Sequence, residues 1–210
     1  MSFTTTYVDD TGKRQTVSIS ESDSKEALKN DYCELMKRYN PKYVSIQRIQ
    51  AKSGEELHLR VTVSAPTHYL SSAGDTSPKE CSSMSVDIVA YLGYPIKALS
   101  AFYPAGHYLA SPNVFHSGAA CIDTWIPFTS SLLTVVEKLV MDIIHNPTVT
   151  RYDSPANLSM IQWHKDGVAA GRFPTISPKF LHAPSTPALP PRSARAAVHP
   201  APPALPSRRR

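Results

Sequence analysis

The chain holds three cysteines, Cys33, Cys81 and Cys121, in three different settings. Their spacing is too wide for a C-x-x-C pair, no nearby histidine spacing reads as a zinc site, and an odd number speaks against a disulfide framework. In a reducing compartment each is either a small apolar packing residue or a thiol with chemistry. Cys33 lies one position off the apolar stripe of a predicted helix and reads as structural. Cys81 sits in a long polar segment. Cys121 follows Gly118 within residues 104–128, a stretch with prolines at 104, 112 and 127, glycines at 106 and 118, and the period of neither helix nor strand. Irregular segments of that length inside compact domains usually serve function. An accessible thiol there suits nucleophilic chemistry at sulfur. His107, His116 and His145 are the candidate bases, of which a Cys–His hydrolase would use His145 or His116 to activate Cys121, but a lone histidine is more often a surface or packing residue.

The elements that must position this segment are α+β in character. Residues 3–19 hold two runs rich in Thr, Tyr, Val and Ile around Asp9-Asp10-Thr11-Gly12, the pattern of a hairpin. Asp23-Ser24-Lys25-Glu26 offers a helix start, Leu28, Tyr32, Leu35, Met36 and Tyr39 recur at helical spacing, and Pro41 stops the helix. Strands are predicted over 43–50 and 56–64; in the second, Leu57, Leu59, Val61 and Val63 alternate with His58, Arg60 and Thr62. Two more, over 84–90 and 99–103, flank Gly93-Tyr94-Pro95. Each strand is joined to the next by a loop and not by a helix, which describes a four-stranded antiparallel meander. The polar segment 65–83 reads as a mobile loop. A strong helix follows over 130–145, capped by Thr129 or Ser130, with Leu132, Val135, Val136, Leu139, Val140 and Ile143 on one face and Asn146-Pro147 at its end. Ser154-Pro155 opens a shorter helix through about Lys165, closed by Gly167.

Composition narrows the function. With 41% hydrophobic and 19% charged residues the chain is neither collagen-like nor mainly disordered. The net charge of +5 belongs to the end of the chain: residues 181–210 hold eight prolines, five arginines and no acid, and without them Lys+Arg and Asp+Glu both number 17. The body is formally neutral, which removes the charge argument for nucleic-acid binding. No stretch approaches the ~20 apolar residues of a membrane span, and MSFTTTYVDD lacks the regions of a signal peptide. A cytoplasmic chain is expected, with an N-terminal extension over 1–22, a catalytic domain over 23–172, and a Pro/Arg-rich tail over 173–210 that is extended and disordered.

One helix, a four-strand meander, a Tyr-Pro turn, an irregular segment with a cysteine, then helices: this order resembles the ubiquitin-conjugating enzymes. In that family a Tyr-Pro turn ends the third strand, a His-Pro-Asn tripeptide follows the fourth, the active cysteine lies eight residues after the Asn, and Leu-Asp follows it. Here those places hold Tyr94-Pro95, Ser111-Pro112-Asn113, Cys121 and Ile122-Asp123, with a Trp-x-Pro element at Trp125 and Pro127. The similarity covers residues 24–167 and is greatest to the prokaryotic branch, whose members are encoded beside a ubiquitin-like protein, an activating enzyme and a JAB-type isopeptidase in systems linked to defence against phage. Ser111 stands in place of the family His, Trp125 comes only four positions after Cys121 where eukaryotic members have a longer insert, and Ala98-Leu99 replaces paired prolines on the surface that meets ligases.

The resemblance implies a UBC-like fold and a transferase that accepts a ubiquitin-like modifier as a thioester on Cys121 and passes it to an amine of a target protein, without a cofactor or metal. The implied partners are the modifier, an adenylating, ThiF-like activating enzyme and the target, with the isopeptidase in the same pathway. An Asn amide has both donor and acceptor atoms, so Asn113 either stabilises the oxyanion or braces the loop. Asp153 sits near the family's acidic residue that orients or deprotonates the substrate amine; the other reading is a favourable charge near a helix N-terminus. Asp123 and Trp125 read as structural. The rival function is a catalytically inactive UBC-like module that binds the modifier or partner proteins.

Overall fold

The structure, a computed structural model, describes residues 1–173 apart from Asp10 and Ala73, together with His182; the expected tail otherwise lies outside the described residues. The predicted hairpin is present as β1 (Ser2–Val8) and β2 (Arg14–Ser20), paired antiparallel from Ser2↔Ser20 to Val8↔Arg14. The Asp9 carboxylate closes its turn by accepting from the backbone N–H groups of Thr11 and Lys13. β2 runs directly into α1 (Glu21–Arg38), two residues before the expected start, because the Ser20 hydroxyl caps the helix by accepting from the Asp23 N–H. Leu28, Leu35 and Tyr39 are buried, whereas Cys33 is exposed, which corrects its reading as a packing residue.

The expected meander is the central sheet, β3 (Val44–Ile49), β4 (Glu55–Val63), β7 (Met84–Tyr91) and β8 (Ser100–Phe102), antiparallel in the order β3-β4-β7-β8. Leu59 faces Ile88 and Val61 faces Val86 across β4 and β7, and all four are buried in the core. On alternate positions Arg60 forks onto the Asp87 carboxylate through two 2.7 Å bonds. α1 and α2 (Leu132–Ile143) share the core with this sheet, and the Tyr-Pro turn locks them together: the buried Tyr94 hydroxyl donates to Asp31 on α1 and accepts from the Leu132 N–H at 2.8 Å.

Segment 65–83 is not a loop throughout. β5 (Thr67–Leu70) and β6 (Lys79–Cys81) pair as a hairpin, and β9 (Tyr108–Leu109) adds to β5 as a second, three-stranded sheet. The run Thr67-His68-Tyr69-Leu70 is short, and its stability comes from burial of Thr67, His68 and Leu70 against distant residues, which no local period records. Two helix limits also shift. α2 is capped by Ser131 in a reciprocal capping box with Thr134. The last helix, α3 (Met160–Ala169), starts five residues after Pro155, because the Ala156 and Asn157 N–H groups donate to the Pro112 carbonyl and hold that stretch on the cysteine-bearing segment. Gly167 lies inside α3 and does not close it; a Cβ there would come within 2.3 Å of the Phe173 ring.

Phe173 is thus buried with the body, in a cluster of rings that fastens α3: His68 from β5, His145 after α2, and Trp163 and His164 from α3. His145 Nε2 lies 3.3 Å from both His68 Nδ1 and Thr67 Oγ1, and His164 Nδ1 is 2.7 Å from the Tyr152 hydroxyl. Burial holds His145 well below the usual imidazole value, with His164 and His68 adding to the effect, and brings His164 down to about 4. His68 is lowered by burial, with Glu80 opposing and Arg172 adding. The unfolded chain binds protons at these sites below ~6.5 and the folded chain does not, so their stabilisation is complete above that pH and is lost on acidification toward 4. For His164 alone the span is about 3 kcal/mol. Tm measured against pH should therefore fall between 6.5 and 4.5, and His164→Phe should flatten the curve; an unchanged slope in the variant would contradict this account of the cluster.

Candidate active site

The seven residues between Asn113 and Cys121 form, with these two, a closed ribbon. The Cys121 N–H donates to the Asn113 carbonyl at 2.7 Å, Val114 bridges Ala120, the Phe115 N–H donates to Ala119 O at 2.9 Å, and the Gly118 N–H donates to Phe115 O at 2.8 Å to make the tip. Glycine is required at the tip: Gly118 has φ +85°, and a Cβ would lie 2.5 Å from the Tyr108 ring and 3.1 Å from Tyr103 O. The returning strand of the ribbon lies along β8, with the Ala120 N–H donating to Ala101 O and the Tyr103 N–H to Gly118 O. The edge of the central sheet therefore sets the position of Cys121, which is half-buried at the base of the ribbon.

Beneath the ribbon Asn113 is 2% exposed and its amide is fully committed. Nδ2 donates to Asp142 Oδ1 and to the Val149 carbonyl, each at 3.1 Å, and Oδ1 accepts from the Arg151 N–H at 3.0 Å. Of the two roles read from its chemistry, this geometry is that of a brace. Ser111, where the resemblance expects His, donates to Asp142 Oδ1 at 2.7 Å and accepts from the Asn113 N–H at 3.1 Å. Asp142 is the residue that sequence reasoning missed. Its signal was present: it continues the buried face of α2 at the spacing Val135, Leu139, Asp142, where a carboxylate is tolerated only with partners.

Burial pushes the Asp142 carboxyl up to about 6, against the hydrogen bonds from Ser111 and Asn113 and the charge of Lys138, which pull the other way. A raised folded-state pKa means that ionisation opposes folding, so the cost is absent below the unfolded value near ~3.9 and complete above about 6. Its sign is opposite to that of the three histidines. Asp142→Asn keeps an acceptor for Ser111 and Asn113 without the buried charge. It should raise stability at pH 7.5 by about 1–3 kcal/mol, a gain that disappears as pH falls through 6 toward 4. Paired thermal melts at the two pH values check this, and a loss of stability at both would contradict it.

Past the cysteine the backbone turns sharply. Asp123 has φ +67°, and its carboxylate is held by Lys138 Nζ at 2.5 Å and by Arg151 Nη1 at 3.2 Å. Asp123, read from the sequence as structural, thus joins α2 to the segment that carries Arg151. Lys138 Nζ also donates to the Cys121 carbonyl at 2.9 Å. Arg151 Nε donates to Asp153 Oδ1 at 3.3 Å, so the candidate acid is brought to the Cys121 side of the molecule but is tied to a guanidinium. That guanidinium's pKa is raised, first by its hydrogen bond with Asp153, then by the charges of Asp153 and Asp123. The Asp153 carboxyl is lowered by its own backbone N–H and by Arg151, and stays ionised. A cleft of about 390 Å³ begins with the residue after the cysteine, lined by Ile122, Asp123, Thr124, Thr134, Lys138 and Arg151. Trp125 donates from Nε1 to Pro95 O at 2.8 Å and packs on Tyr94, which ties this segment to the Tyr-Pro turn.

The candidate bases are elsewhere. His145 is enclosed in the ring cluster, His107 stacks on Tyr69 with ring centroids 4.5 Å apart, and His116 is at the tip of the ribbon, the end opposite Cys121. Cys81 is half-buried on β6, and its thiol is pushed up by burial. No group of three or more His, Cys, Asp or Glu side chains among the described residues is arranged to hold a metal ion, and no helix among them is long and apolar enough to cross a membrane. No model of a known protein family matches the chain, and no curated protein matches it.

Proposed function

We propose that the chain is a conjugating enzyme for a ubiquitin-like modifier, built on the ubiquitin-conjugating fold and working in a prokaryotic conjugation system of the antiphage kind. The observation that carries the reading is the closed ribbon from Asn113 to Cys121, which has the family's spacing and leaves Cys121 half-buried, one residue before those that line a cleft. The order of meander, Tyr-Pro turn, ribbon and α2 supports it.

In charging, Cys121 Sγ attacks the modifier's terminal carbonyl carbon, already a thioester on the activating enzyme. A new C–S bond forms, the old one breaks, and the departing thiol carries away the proton that Cys121 gave up. In discharge an amine nitrogen of the target attacks the same carbon, the C–S bond breaks, and an amide forms while the nitrogen's proton returns to the sulfur by way of Asp153. Neither step calls for a cofactor, since the thioester supplies the driving force. Asn113 serves by holding the ribbon, and Asp153 acts once the entering amine displaces Arg151 from it, an exchange that an exposed, water-screened ion pair permits. A Cys–His hydrolase has less support, because His145 is held in the ring cluster and His116 belongs to the tip of the ribbon, at the end opposite Cys121.

Discharge onto free lysine tests the reading. The chain charged with a labelled modifier should yield a lysine isopeptide; release to water alone would favour a hydrolase, and retention of an intact complex with no covalent step would favour a binding module.

A further inference from the structure

We infer that Lys138 is the positioning residue of Cys121, the second of two anchors by which helix α2 holds both ends of the cysteine-bearing ribbon. Its bearing on catalysis rests on the conjugating-enzyme reading; its bearing on the ribbon does not. Lys138 and Asp142 are four residues apart and so lie one above the other on α2. Asp142 grips the Asn113 amide at one end of the ribbon, and Lys138 grips the Cys121 carbonyl at the other. The Cys121 residue is therefore fixed from both sides, its N–H by the Asn113 carbonyl at 2.7 Å and its C=O by the ammonium at 2.9 Å.

Two features separate this contact from an ordinary surface ion pair. The Lys138 side chain is only 14% exposed, and its ammonium is shared between the Cys121 carbonyl and the Asp123 carboxylate. Asp123, two residues past the cysteine, is held in the left-handed region at φ +67°, where a side chain strains the backbone. The same ammonium that holds the Cys121 carbonyl holds the Asp123 carboxylate at 2.5 Å. Without it, the carbonyl bond is lost and the Asp123 turn is left to Arg151 alone. Lys138 does not touch the reacting carbon; it acts through the backbone of the residue that does.

The test compares the wild-type chain, Lys138→Met and Lys138→Arg by amide hydrogen exchange and by charging rate. Lys138→Met should speed exchange over residues 119–124 by about 10-fold or more, the loss expected for one hydrogen bond to a charged group, while β4 and β7 stay protected. Lys138→Arg, which keeps charge and donors, should restore protection to near wild type. Charging should follow the same order, falling in the Met variant and recovering in the Arg variant. Unchanged exchange at 119–124 in Lys138→Met overturns the inference whatever charging does, and so does exchange that rises equally in β4 and β7, because the role would then be general stability. Local loss and rescue in a chain whose wild type never charges would uphold the anchor and reject the conjugating reading, so the two failures are distinguishable.

Discussion

Cys121→Ser is expected to fold as the wild type does and to convert a modifier adduct that thiol reductant cleaves into one that survives it. The fold is insensitive because the position of residue 121 is set through its backbone, by the Asn113 carbonyl and the Lys138 ammonium, and serine is nearly isosteric. The chemistry is sensitive because a serine hydroxyl needs a general base that a thiol does not, and such a base is worth about 10²–10⁴-fold. His107, His116 and His145 are each engaged or placed away from the cysteine, so charging of the serine variant should be slower by about that factor. Non-reducing electrophoresis before and after reductant measures both properties. A serine variant that still forms a reductant-cleavable adduct would place the acceptor at Cys33, which is exposed on α1, or at Cys81.

Asn113→Ala has the second large expected effect, and it falls on stability. The substitution strips Asp142 of a donor and leaves the Val149 carbonyl and the Arg151 N–H without their partner. Buried groups left unsatisfied cost about 1–3 kcal/mol each, so a total of about 3 kcal/mol is expected, which lowers Tm by roughly 6–12 °C in a chain of this size. Charging and discharge should slow together, because the ribbon that carries Cys121 is loosened in both. An oxyanion donor would behave differently: its loss would cost ~2.7–4 kcal/mol in the transfer step with Tm unchanged. Melting curves together with the two rate constants decide between these outcomes.

The parts of the molecule that sequence made legible are those whose stability is written in local period. β4 and β7 alternate and pair as expected, α2 follows its apolar stripe, and Asp9 and Gly12 mark the first hairpin. The parts that escaped depend on partners far along the chain. β5 is a four-residue run that becomes a strand by burial against α2 and α3, and the start of α3 is delayed by two hydrogen bonds to Pro112. At the site, the spacing from Asn113 to Cys121 could be read, but the reason for it, a ribbon closed by Cys121 N–H on Asn113 O, is a matter of tertiary geometry. Lys138 and Asp142 could be placed on α2 from periodicity alone. What they hold could not, because the groups they grip are a carbonyl and an amide in an irregular segment that has no period of its own.

The central claim is that Cys121 accepts an acyl group from an activating enzyme. Incubating the purified chain with that enzyme, the ubiquitin-like modifier and ATP, followed by non-reducing electrophoresis and peptide mapping, tests it directly. The account predicts one adduct, larger by a single modifier, lost on addition of thiol reductant and mapped to Cys121. Absence of an adduct with a competent activating enzyme, or a labile adduct mapped to Cys33 or Cys81, would contradict it.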